Sequence, residues 1–302
     1  MDYQNIFESV NGRKEYQFPA AKIAHYEIGG AIDLLFYPET KLDCAKLIHL
    51  CKSNKIPYFL FGKGSNLLIS DEGYRGVFIS LDDCSLELEL SEKKSYIGAG
   101  VILWDLIQET LKHGFGDMSN MSWIPGTVGG ALFMNAGAFG TEIEEFVESV
   151  DVITQGGKIK TLSHKECAFQ YRKSIHLQDK IILGATMLFS SSDKEKMKAN
   201  SDDIISRRKS RQPLDYPSCG SVFKRPPGNY AGTLIEKSGL KGFRIGGAEL
   251  SEKHANFILN KNQAKAQDIY DIIKHVQETV KKKHDIQLER EVKLIGFKNV
   301  KI

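Results

Sequence analysis

Between Gly126 and Gly137, six of the twelve residues are glycine or alanine, and this stretch constrains the fold more than any other. Glycine inside a helix costs about 1 kcal/mol relative to alanine, so a plain helix would not collect it. Such density suits a backbone lying against a flat or charged ligand, or a helix and a strand packed unusually closely. The ligand reading is taken here: Pro125, Gly126, Thr127, Gly129 and Gly130 are candidate contacts, and Asn135, Gly137 and Ala138 continue the run. A second segment, Gly62-Lys63-Gly64-Ser65-Asn66-Leu67, follows the apolar Tyr58-Phe59-Leu60-Phe61. Glycine there lets backbone N–H groups approach a pyrophosphate closely, although a tight hairpin would use the same residues. Neither common nucleotide fingerprint is met. Leu67 stands where a Rossmann turn needs a third glycine, and Gly64 where a P-loop needs Ser or Thr.

A chain of 302 residues, 41% hydrophobic and 26% charged, can bury two or three cores. Its net charge of +3 is too small to argue for nucleic acid. The start of the chain lacks the layout of a secretory signal, and no apolar run is long enough to insert in a membrane, so a cytoplasmic protein is expected. Five cysteines without close paired spacing argue against a disulfide framework and against a zinc ribbon, and no metal is expected. Cys44 and Cys51 share a helical stripe with Leu47 and Ile48 and read as core.

Period-two and short apolar runs predict strands at 34–37, 58–61, 77–81, 86–90, 150–154, 158–162 and 181–189, with helices at 40–53 and 102–113. This irregular mixture predicts an α+β fold rather than a doubly wound sheet. Residues 191–211 turn polar, charged and helical, and this change marks the boundary between an N-terminal cofactor half and a C-terminal unit. Beyond it come a helix at 231–238, a strand at 256–260, a long helix and a closing strand at 289–295. The long helix carries Ile269, Ile272, Ile273, Val276 and Val280 at core-facing spacing, and Lys281-Lys282-Lys283 reads as its solvated end.

Further segments narrow the reading: Tyr171-Arg172-Lys173-Ser174, Gly220-Ser221-Val222-Phe223, the run from Ile245 to Ile258, and Arg290-Glu291-Val292-Lys293-Leu294-Ile295-Gly296. With the glycine-rich segments, they resemble the FAD-binding fold of the vanillyl-alcohol-oxidase (PCMH) type. More narrowly, the chain resembles the MurB family of UDP-N-acetylenolpyruvoylglucosamine reductases over nearly its whole length, from His25 to Gly296. The compact interval between Ser221 and Glu291, and the sequence Phe223-Lys224-Arg225-Pro226-Pro227-Gly228, suggest the shorter type II form. The resemblance implies two FAD-binding subdomains, residues 1–70 completed by the C-terminal tail and residues 71–205, followed by an α+β substrate-binding domain at 206–302. It implies noncovalent FAD, NADPH as reductant, and UDP-N-acetylglucosamine enolpyruvate as the substrate reduced to UDP-N-acetylmuramate. It also implies a monomer or weak homo-oligomer.

On the same resemblance, Gly62, Lys63, Gly64, Ser65, Asn66 and Leu67 join the residues of the 125–138 segment in holding FAD. Hydride addition to an alkene bearing a carboxylate drives charge toward that carboxylate, so the site must stabilise an enolate-like species. Arg172 is expected to hold the carboxylate and Ser221 to protonate the carbanionic carbon. Glu291 is expected to assist on one face of the closing strand, either protonated or in a network with Arg172. Tyr171, Lys224, Arg225, His254 and Asn256 are expected at the substrate. Arg225 departs from the asparagine that other members carry. A serine hydrolase is disfavoured, since Gly220-Ser221-Val222 lacks the Gly-x-Ser-x-Gly elbow. Another FAD oxidoreductase of this fold, or a nucleotide-binding protein without turnover, remain the alternatives.

Overall fold

Two discontinuous units emerge from a computed structural model that describes residues 2–298. The first comprises the residues up to Tyr16, Leu34–Gly62 and Gly76–Arg207, and the second comprises Gln17–Asp33, Lys63–Arg75 and the chain from Arg208 onward.

Most of the first unit is built on two four-stranded sheets. One has the order Gly12–Pro19, Ala31–Pro38, Tyr74–Ser80, Tyr58–Phe61, with its last two strands parallel. The other is antiparallel, ordered Ile159–Ser163, Val147–Ile153, Ile181–Phe189, Lys93–Gly98. Helix Lys41–Ser53 begins at Thr40, whose side chain accepts the Asp43 N–H at 3.0 Å, and it buries Cys44, Leu47, Ile48 and Cys51. Burial holds both thiols well above the ordinary thiol range, so they are inert core groups. Helix Leu103–His113 ends at Gly114 in the left-handed conformation, with its amide donating to the Thr110 carbonyl. Leu103, Leu106 and Ile107 join the same apolar core as the sheets.

The expected strand at 86–90 does not form. Only Leu88 makes a bridge, to Ile97, while Leu86 stays exposed. The place beside Ile181–Phe189 is taken by Lys93–Gly98, whose Lys93-Lys94-Ser95 start concealed it from an apolar pattern.

The second unit has its own core, in which the long helix Ala266–His284 presents Ile269, Ile272, Ile273, Val276 and Val280 to Leu250, Ile258 and Leu294. Three short strands, Arg244–Ile245, Ala248–Leu250 and Ile258–Asn260, form an antiparallel sheet. Asp71 receives the Ala266 and Gln267 N–H groups at 2.9 and 3.3 Å, so an acidic cap meets the positive end of the helix. The closing strand is shorter than expected, covering Lys293–Ile295 only, and it runs parallel to Leu67–Ile69. Glu291 therefore precedes the strand rather than lying on it. Its neighbourhood is occupied by main-chain bonds to a different segment, described below. Among the described residues no helix is long and apolar enough to cross a membrane.

Candidate active site

In the second unit, the segment that follows Ser221 is held on both sides. Val222 N donates to the Asn256 carbonyl at 2.9 Å, and the Val222 carbonyl receives the Glu291 N–H at 2.8 Å. One residue on, Phe223 bridges Arg290 in antiparallel fashion, and Lys224 N donates to the Glu289 carbonyl at 2.9 Å. A turn follows at Pro227-Gly228. Ser221 and Glu291 are thus brought together in neighbouring segments, both half-buried. Among the described residues no histidine pairs with the Ser221 hydroxyl, and His254 uses Nδ1 to accept the Asn256 N–H at 3.2 Å. A serine nucleophile with a histidine base is not built here.

Asn66, from the glycine-rich segment 62–67, ties into the same place. Its Nδ2 donates to the Glu291 carbonyl at 3.2 Å, and its own carbonyl receives the Lys293 N–H at 2.9 Å. The loop 62–66 is not a hairpin, because Tyr58–Phe61 and Leu67–Ile69 belong to different sheets. Gly64 has φ 65°, and a Cβ there would sit 2.0 Å from the Ile23 carbonyl oxygen, so only glycine fits. Gly64 is buried, and among the described residues its N–H and that of Asn66 have no main-chain acceptor. Unpaired donors in a tight turn suit the phosphate-bearing part of FAD. Cys219 seals the loop from below, its Sγ reaching the Leu67 carbonyl at 3.3 Å.

Of the expected substrate residues, Lys224 pairs with Glu289 at 2.5 Å. Arg225 is exposed and stacks over the Tyr230 ring, 4.2 Å from its centroid. Burial pushes the His254 imidazole below its ordinary range, helped by Lys241, while a main-chain hydrogen bond opposes the shift. Asn256 is buried, with both ends of its side chain on Phe223, so the structure gives it protein partners rather than an open face.

Lys63 and Ser65 belong to the second unit, whereas Gly62 and the expected residues from Pro125 to Arg172 lie in the first. Gly62 is pressed against the glycine-rich segment 126–137, since a Cβ on it would come within 2.5 Å of Thr127 Oγ1. Thr127 caps helix Val128–Met134 by accepting the Gly130 N–H at 3.2 Å. The Val128 and Gly129 amides donate to the Val101 and Ala99 carbonyls. A Cβ at Gly129 would lie 2.9 Å from the Ala99 Cβ. Glycine at 129 is therefore explained by close packing, the second of the two reasons such density admits. Pro125 and Gly130 remain exposed on this helix start.

Asn135 is fully buried in the left-handed conformation, φ 42°. Its Nδ2 donates to Glu142 Oε2 at 2.8 Å, Glu144 Oε1 at 2.9 Å and the Gln170 carbonyl at 3.2 Å. Arg172, also left-handed, donates from Nη2 to the Gly137 carbonyl at 2.7 Å and lies 3.6 Å from Glu142 Oε1. Burial raises the Glu142 carboxyl, Arg172 pulls it down, and Glu144 adds to the rise. Tyr171 is largely exposed, its ring 4.9 Å from the Arg172 guanidinium. Ala138 lies beyond Gly137 in a two-residue strand paired with Thr141–Glu142. Glu142 and Glu144 escaped the sequence reading. Their only signal is an acidic run, Glu142-Ile143-Glu144-Glu145, beside a glycine-rich segment.

Comparison with known proteins identifies the family and the fold. Residues 32–163 match the FAD binding domain family, and residues 212–295 match the UDP-N-acetylenolpyruvoylglucosamine reductase C-terminal domain. A UDP-N-acetylenolpyruvoylglucosamine reductase of Clostridium beijerinckii is 40% identical over 98% of both chains. One of Listeria innocua is 43% identical over 92% of this chain and 93% of its own. Among solved structures, the UDP-N-acetylenolpyruvylglucosamine reductase (MurB) of Thermus caldophilus superposes with a TM-score of 0.79 at 30% identity, covering 95% of this chain and 99% of the other. With an α+β FAD-binding fold and full-length likeness to these reductases, the chain belongs to the UDP-N-acetylenolpyruvoylglucosamine reductase family of FAD-dependent oxidoreductases.

Proposed function

We propose that this chain reduces the enolpyruvyl ether of UDP-N-acetylglucosamine enolpyruvate to UDP-N-acetylmuramate, a step in making peptidoglycan precursors, with Ser221 as the proton donor. FAD, held by residues of the 62–67 and 125–138 segments, would supply the hydride that the enolpyruvyl methylene carbon receives, with NADPH as the reductant. The protein's task is then electrostatic. As the carbon–carbon double bond is broken, an electron pair is left on the carbon beside the carboxylate. Arg172 is assigned to that carboxylate, its guanidinium held by the Gly137 carbonyl and by Glu142. Ser221 gives its hydroxyl proton to the carbanionic carbon and regains one from solvent. An alcohol can do this only because the acceptor is so basic. Glu291 is assigned to assist from the neighbouring segment.

FAD is held noncovalently by the two glycine-rich segments, and Tyr171, Lys224, Arg225 and His254 are assigned to the nucleotide-sugar. Partners are confined to NADPH and this substrate. The enzyme is assigned to the cytoplasm as a monomer or weak homo-oligomer.

The observation that carries the reading is the register of Ser221 with Glu291, fixed by the 2.8 Å bond from Glu291 N to the Val222 carbonyl. A decisive test separates the two half-reactions. In Ser221→Ala, NADPH should still bleach the flavin at the wild-type rate, whereas recolouring by the enolpyruvyl substrate should fall by about 10²-fold or more. Equal recolouring rates in variant and wild type would remove Ser221 from the mechanism. Substrate trials on the reduced enzyme distinguish another FAD oxidoreductase, which would not be reoxidised by the UDP-linked enol ether.

A further inference from the structure

We propose that Asn256 is a positioning residue for Ser221, acting by holding the main chain that follows the serine; this inference rests on the proton-donor reading of Ser221. Asn256 is 6% exposed, and Val222 and Phe223, whose main chain it meets, are buried as well. Its Nδ2 donates to the Phe223 carbonyl at 2.9 Å, and its Oδ1 receives the Phe223 N–H at 3.0 Å. A carboxamide carries the same donor and acceptor as a peptide group, so this side chain pairs with Phe223 as an adjacent strand would. The Asn256 main chain adds a third bond, its carbonyl receiving the Val222 N–H at 2.9 Å.

From the other side come Glu291 N to the Val222 carbonyl and Glu289 O to the Lys224 N–H. Val222 and Phe223 are thus bound at both main-chain groups, and Lys224 at its amide. Ser221 stands at the end of this locked run, one residue from the point where Glu291 is placed in register. Asn256 is itself braced, because its N–H donates to His254 Nδ1, and the His254 N–H lies 3.2 Å from Ser251 Oγ. A buried side-chain amide whose ends both meet a single residue does little for general packing that a leucine would not do. It does specify one backbone conformation beside the serine.

Asn256→Asp keeps the volume and the acceptor but removes the donor, setting a carboxylate oxygen against the Phe223 carbonyl. Asn256→Ala removes both bonds. In the FAD-loaded enzyme, Asn256→Asp should keep its flavin content and its rate of bleaching by NADPH. Recolouring by UDP-N-acetylglucosamine enolpyruvate should slow by about 10–100-fold, the cost of a misplacement near 1 Å, with substrate KM little changed. Hydrogen exchange of the peptide spanning 220–224 should accelerate in the same variant, a readout independent of turnover. Should Asn256→Ala fail to fold, the isosteric variant alone decides. Wild-type recolouring in Asn256→Asp, alongside slow recolouring in Ser221→Ala, would overturn the inference and leave the role of Ser221 standing. Equal slowing of both half-reactions would overturn it too, as the mark of general destabilisation. Wild-type recolouring in Ser221→Ala would overturn both readings together.

Discussion

His254 illustrates how burial at a single residue becomes a pH dependence of the whole. Burial lowers its imidazole below the ordinary value, so the unfolded chain takes up a proton at a pH where the folded chain does not. The sign is then set: stability contributed by the neutral ring is present above the unfolded value of about 6.5 and is lost as pH falls toward the lower folded value. His254→Asn keeps an acceptor for the Asn256 N–H but cannot titrate. Between about pH 7 and pH 5 its thermal midpoint should fall less steeply than that of the wild type. Parallel slopes would show that the histidine is not a source of the acid sensitivity. Residue types at this scale were largely legible. Arg172, Ser221 and Glu291 were singled out from their motifs, and the buried row of helix Ala266–His284 from its spacing. What the motifs could not disclose was occupancy. Whether the amide of Asn256 faces a ligand or Phe223 depends on a contact 33 residues away in the chain.

At the scale of elements, the pattern of short apolar runs found the half-buried strand Tyr58–Phe61 and the mostly buried Ile181–Phe189, but not the three-residue strand Leu67–Ile69, buried though it is. It failed at Gly12–Pro19 and Lys93–Gly98, whose alternation is masked by lysine, arginine and glutamate on an open face. It also lengthened the closing strand. Residues 289–292 have the composition of a strand, but their main-chain groups meet residues 222–224 instead of continuing the ladder with Leu67–Ile69. Capping offers a sharper test. Asp71 supplies two acceptors to the start of Ala266–His284 from almost two hundred residues earlier in sequence. Asp71→Ala should lower the unfolding free energy by about 1–2 kcal/mol, read as a shift in denaturant midpoint. Asp71→Asn, which keeps an oxygen acceptor, should recover most of that loss. Equal loss in both would point to charge against the helix dipole rather than to the hydrogen bonds.

For the whole molecule, FAD binds the folded chain and adds to its stability by mass action. At a free FAD concentration a hundred times the Kd, the gain is about 2.7 kcal/mol. Removing FAD should therefore lower the thermal midpoint, and titrating it back should raise the midpoint in proportion to the logarithm of concentration. A midpoint indifferent to FAD would mean that the glycine-rich segments do not hold it in the native state. The sequence by itself determined the α+β class, the cysteine-lined helix, the two glycine-rich segments and the family, because these rest on local spacing and on residue types that carry their own chemistry. Only the tertiary structure decided the chain's division into two discontinuous units, with Gln17–Asp33 and Lys63–Arg75 grouped with the C-terminal hundred residues. It alone also decided why Gly129 is glycine and which backbone Asn256 holds. Those outcomes depend on which distant main-chain groups become neighbours, and hydrogen bonding and close packing act only between groups that folding has already brought within reach.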